Sequence, residues 1–120
     1  MANPTKKKLS GSTDGMGIKV VATATLGTTI HTAVAGTTAG TYHEIWLWAY
    51  NGHTTTATLT IEFGDATVPD HNIILTLAAK SGLTLVVPGL ILQNGQIVTA
   101  FADVANVVTI SGFVNSMVTG

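Results

Sequence analysis

The sequence predicts an all-β protein: a single antiparallel β-sandwich, jelly-roll-like, with about eight strands. Three observations predict it. Val, Ile and Thr dominate from Ile18 onward, and Thr alone fills 21 of 120 positions. Gly, Asn, Asp and Pro interrupt the apolar runs about every ten residues, the spacing of a sandwich or small barrel. No window carries a 3.6-residue apolar stripe bounded by helix caps.

Residues 1–17 stand apart from the rest. They hold Lys6, Lys7 and Lys8, have Gly and Ser around Asp14, and contain almost no apolar side chains. This composition predicts a flexible arm. Residues 18–120 form the sandwich domain. Its strands are expected over 18–25, 29–34, 41–50, 54–63, 71–79, 82–87, 96–102 and 106–118. Pro88-Gly89 is expected to break a strand and Asn94-Gly95 to make a turn. Gly112 lies inside the last apolar run, where a glycine marks a bulge or a close backbone approach.

Asn51-Gly52 separates two long β-type runs and predicts a two-residue hairpin with a type I′ turn. In that register Tyr50 faces His53, Trp48 faces Thr55 and Trp46 faces Ala57. Ala57, Leu59, Ile61 and Phe63 alternate with threonines, so they are read as the core face. The hairpin then places Tyr42, Trp46, Trp48 and Tyr50 with them. Ile45, Leu47 and Ala49 fall on the opposite, threonine-lined face. Such an uncharged face is usually covered, either by a second part of the same chain or by a neighbouring subunit.

Charge limits the function classes. Only 9 % of residues are charged, Arg is absent, and 46 % are hydrophobic; an ordinary soluble domain is about a quarter charged. A surface this poor in charge predicts coverage by copies of the chain or by a larger assembly. The formal net charge of -1 gives no electrostatic case for nucleic acid or a membrane surface. Without Cys, disulfides, thiolate metal sites and a Cys nucleophile are excluded. No stretch reaches the roughly 18 apolar residues of a membrane span. A polar stretch follows Lys6–Lys8, so no secretory signal is expected.

Chemistry finds little support. His31, His43, His53 and His71 show no metal-ligand spacing, so no metal or cofactor is expected. No Gly-x-Ser-x-Gly elbow or Gly-rich phosphate loop is present. Asp65 and Asp70 read as a polar turn with Asx-type hydrogen bonds. The protein is therefore expected not to be an enzyme. Trp46, Trp48 and Tyr42 could form a sugar-binding platform if exposed, but the hairpin register assigns them to the core.

Several segments occur in a telling order: Glu44-Ile45-Trp46-Leu47-Trp48-Ala49, Thr58-Leu59-Thr60-Ile61-Glu62-Phe63-Gly64, Pro69-Asp70-His71, Val87-Pro88-Gly89-Leu90 and Val108-Thr109-Ile110-Ser111-Gly112-Phe113-Val114. Over about residues 40–118 the chain resembles small β-rich virion proteins of tailed bacteriophages, most of all capsid decoration (cement) proteins. That resemblance implies a homotrimer on the outside of the head shell, bound to the major capsid protein and made in the bacterial host cytoplasm. It carries no catalytic residues. In this reading Ile45, Leu47, Ala49 and Phe113 form the subunit interface, and Lys6, Lys7 and Lys8 lie over acidic capsid loops. The alternatives are a tail, neck or head-fibre component, or a carbohydrate-binding β-sandwich module.

Overall fold

The computed structural model describes residues 4–119, which form two antiparallel sheets packed face to face. In chain order the strands are β1 (Thr5–Lys8), β2 (Ile18–Lys19), β3 (Thr28–Thr32), β4 (Tyr42–Asn51), β5 (Ala57–Gly64), β6 (Asn72–Leu77), β7 (Thr84–Leu92), β8 (Ile97–Ala102) and β9 (Val108–Met117). The first sheet runs β1-β9-β4-β7, with β2 also on β9; the second runs β3-β8-β5-β6. From β3 onward every connection crosses between the sheets except β5 to β6. This is the jelly-roll order, the fold class the sequence predicts.

Each sheet contributes one apolar stripe to the interior. Ile45, Leu47 and Ala49 of β4 face Ala57, Leu59 and Ile61 of β5 across the sandwich, and all six are fully buried. Burying a side chain such as Leu47 stabilises the fold by roughly 1.5–3 kcal/mol. Val108, Ile110 and Val114 extend the stripe on β9.

The structure corrects the hairpin. β4 pairs with β7 and β9, whereas β5 pairs with β6 and β8, so the two strands do not touch edge to edge. Neither Asn51 nor Gly52 has the positive φ that a type I′ turn needs. Asn51 instead makes a corner. Its Nδ2 donates to the carbonyls of Thr55 and Leu77, and its Oδ1 accepts from His53 N–H. A corner lets the aliphatic phases of both strands enter one core; a hairpin would leave that of β4 outside.

The arm is corrected as well. Thr5–Lys8 is an edge strand on β9, in register from Thr5↔Ser116 to Lys8↔Phe113. An edge strand keeps its lysines hydrated while its backbone completes the sheet, and the buried Leu9 anchors the segment that follows. Pro88-Gly89 does not end β7, which runs on through register shifts near both residues. Proline is tolerated there because β7 is an edge. Gly112 is the predicted close approach: a Cβ there would sit 2.0 Å from the Trp46 carbonyl oxygen.

Candidate interaction face

The alternation of β4 decides what the outer face of the first sheet carries. Tyr42, Glu44, Trp46, Trp48 and Tyr50 point outward and are partly exposed. Trp46 lies opposite Phe113 of β9. The three rings of Trp46, Trp48 and Phe113 have centroids 6.3, 6.4 and 6.0 Å apart and planes within 26° of parallel. In a column of three, the outer pair would stand twice as far apart as neighbours. Near-equal spacings instead make a tile.

Two local features hold the tile. Gly89, at φ 78°, brings the β7 backbone under the Trp46 indole; a Cβ there would lie 2.8 Å from Trp46 Cζ2. Lys6 Nζ sits 4.3 Å from the centre of the Phe113 ring, a cation–π contact. On the β7 side the face continues through Leu85 and Ile91, which are 44 % and 57 % exposed. Glu44 supplies the acid. Its Oε1 accepts from Trp46 Nε1 at 2.8 Å and from Asn115 Nδ2 at 3.0 Å, and these bonds hold the carboxyl below its usual range. Its Oε2 accepts no hydrogen bond among the described residues.

The expected site residues separate. Ile45, Leu47 and Ala49 are not an interface: they fill the core of their own chain. Phe113 is partly exposed in the tile. Lys6, Lys7 and Lys8 belong to β1 rather than to an arm, and Lys8 Nζ donates to the Ser12 carbonyl. Trp46 and Trp48 move from the expected core to the outer face. One signal for this stood in the sequence: Glu44 shares their phase on β4, and an acid in phase with a stripe marks the solvent side.

The remaining polar groups form separate sites. His31 and His43 pair in the interior. Asp65 Oδ1 accepts from Thr67 N–H, the expected Asx turn, and binds His71 Nδ1. This pairing lowers the Asp65 pKa to about 2 and raises that of His71. Asp65 also lines an open cleft of about 270 Å³ with Leu26, Thr29 and Thr99. The Thr99 hydroxyl there is committed to Glu62. Among the described residues no three metal-ligating side chains converge.

No protein-family model, curated protein or solved structure matches the chain.

Proposed function

We propose that this protein is a structural component of a tailed-phage virion, a decoration subunit that docks on the outside of the head shell through the outer face of its first sheet. The observation that carries this reading is the partly exposed tile of Trp46, Trp48 and Phe113 on a face whose central strand bears one acid, Glu44. Aromatic anchors dominate binding energy at protein interfaces. Glu44 and Lys6 border the tile, so covering it favours a partner that leaves both charges hydrogen-bonded or hydrated. Many copies of a modest contact over one shell reinforce it through avidity. The sequence resemblance over about residues 40–118 supports the same assignment. The jelly roll is compatible with it, since viral shells and lectins both use this fold.

A second reading is favoured by the same tile. A flat aromatic surface beside a carboxylate oxygen and an amide suits a pyranose ring, whose C–H face stacks on aromatic rings while its hydroxyls need acceptors. Tryptophan emission separates the two. The shell reading expects a saturable blue shift on adding expanded, undecorated capsids and no change with neutral glycans. A shift with glycans alone would make the protein a carbohydrate-binding module. Binding to purified tails or connectors but not to shells would move it elsewhere in the virion.

A further inference from the structure

A jelly roll has four open sheet edges, and an open edge is a template for pairing with another chain. Three of the four are guarded here. The β1/β2 edge carries Lys6, Lys7, Lys8 and Lys19, four of the protein's five basic residues. The β7 edge contains Pro88 and two register shifts. The β3 edge has a bulge between Thr29 and His31 and is covered by the 10–11 segment, through Gly11 N–H to the Ile30 carbonyl and Thr32 N–H to Ser10 Oγ.

The β6 edge has none of these devices. Its sequence is Asn-Ile-Ile-Leu-Thr-Leu, its register with β5 is unbroken, and Ile74 is 64 % exposed. The direction of its amides follows from one bond. Phe63 N–H donates to the His71 carbonyl, so His71, Ile73, Leu75 and Leu77 turn their main chains toward β5. Asn72, Ile74 and Thr76 turn theirs outward. The N–H and C=O of Ile74 and of Thr76 have no partner among the described residues.

We propose that β6 pairs with β6 of a second copy of this chain, antiparallel and about a two-fold axis at Ile74, to join the two second sheets into one. In that register each Ile74 exchanges both main-chain hydrogen bonds with Ile74 of the second copy. Each Thr76 N–H meets the Asn72 carbonyl opposite. Ile74 side chains meet on the outer face, covering the most exposed apolar group of the strand. Charge fits the same axis. Asp70 precedes β6 and Lys80 follows it, so antiparallel pairing brings Asp70 of one copy to the end where Lys80 of the second copy lies, while the two Asp70 carboxylates lie at opposite ends of the contact. Asp70 and Lys80 are the only Asp, Glu or Lys residues between 66 and 102. A closed two-fold contact uses the same patch on both chains; here it takes the place of the trimer the family resemblance implies.

The inference is independent of the shell reading, because it is tested on the free protein. Sedimentation equilibrium from low micromolar to near-millimolar concentration is expected to show a monomer–dimer equilibrium. Ile74→Lys is expected to raise the dissociation constant by about tenfold or more. Thr76→Pro, which removes an outward N–H without touching the β5 pairing, should act the same way. Ile91→Lys, on the guarded β7 edge, should leave it unchanged. The Ile74 and Thr76 amides should exchange slowly in concentrated wild type and fast in Ile74→Lys. A wild type that stays a single chain, a dimer indifferent to both β6 variants, a trimer, or fast exchange at Ile74 in the dimer would each overturn the proposal.

Discussion

His31 Nε2 lies 2.7 Å from His43 Nδ1 inside the sandwich, and the bond between them has a defined direction. Ser10 N–H donates to His31 Nδ1, so His31 carries its proton on Nε2 and donates it to His43 Nδ1. Both imidazoles are neutral in this chain of bonds. It joins β3 of one sheet to β4 of the other, and the segment after β1 to both.

Acid should therefore loosen the sandwich. Burial, reinforced by His43, holds His31 down to about 4, and burial together with Lys7 lowers His43. Unfolded histidine takes its proton near 6.5. The unfolded chain thus binds more protons between the two values, and stability rises with pH across that window. The contribution is complete above about 6.5 and lost as pH falls toward about 4, amounting to about 3 kcal/mol for His31. Urea unfolding should show a lower midpoint near pH 4.5 than near pH 7, and His31→Gln should flatten that dependence. His71 acts with the opposite sign. Its raised pKa gives stability below 6.5 that is lost as pH rises through the folded value, and Asp65→Asn isolates that part.

Glu62 anchors the loop before β3. Its carboxylate is fully buried, yet Thr25 Oγ1, Gly27 N–H and Thr99 Oγ1 all donate to it. Burial pushes its pKa up, and the three bonds outweigh that effect and hold it below the usual range. Glu62→Ala removes the acceptor of all three donors and should cost about 3 kcal/mol. Limited proteolysis should then cut within residues 22–27 faster in the variant than in the wild type.

Gly112 admits no side chain. With the Trp46 carbonyl oxygen 2.0 Å from a Cβ at this position, Gly112→Ala must part β4 from β9 in the middle of the first sheet. The expected loss exceeds about 4 kcal/mol, in the range kept for a few severe mechanisms. Thermal unfolding checks it, with Gly52→Ala as a comparison, since Gly52 has no positive φ and a Cβ there meets nothing closer than 3.4 Å.

The residues explain which parts of this fold were legible. The phase of β5 is read correctly because Ala57, Leu59 and Ile61 alternate with polar residues. The phase of β4 is not, because both of its faces are apolar and the Asn51-Gly52 signal outweighs the single acid at Glu44. Asn-Gly favours a tight turn only where the chain returns along its own sheet, and in a jelly roll most connections leave it. β1 is missed because Lys-Lys-Lys has a poor strand propensity and is held by β9, more than 100 residues away. The His31–His43 pair is set by sheet packing and has no local sequence signature. Gly112 and the Asp65 turn are both legible, since each rests on local backbone chemistry.

Leu47 and Trp48 are neighbours with opposite roles. Leu47→Asp should unfold the protein, because it places a charge in the core beside Leu59 and Ile61. Trp48→Ala should leave a folded protein with a damaged outer face. Circular dichroism and thermal melting of the two variants check the assignment of phases on β4.

The most direct test of the central claim is co-sedimentation with expanded, undecorated capsids, comparing wild type with a folded Trp46→Ala, Trp48→Ala double variant. Saturable binding of the wild type at a fixed ratio to the major capsid protein, lost in the variant, is the predicted result. No binding of folded wild type, or equal binding of the variant, would contradict docking through this face.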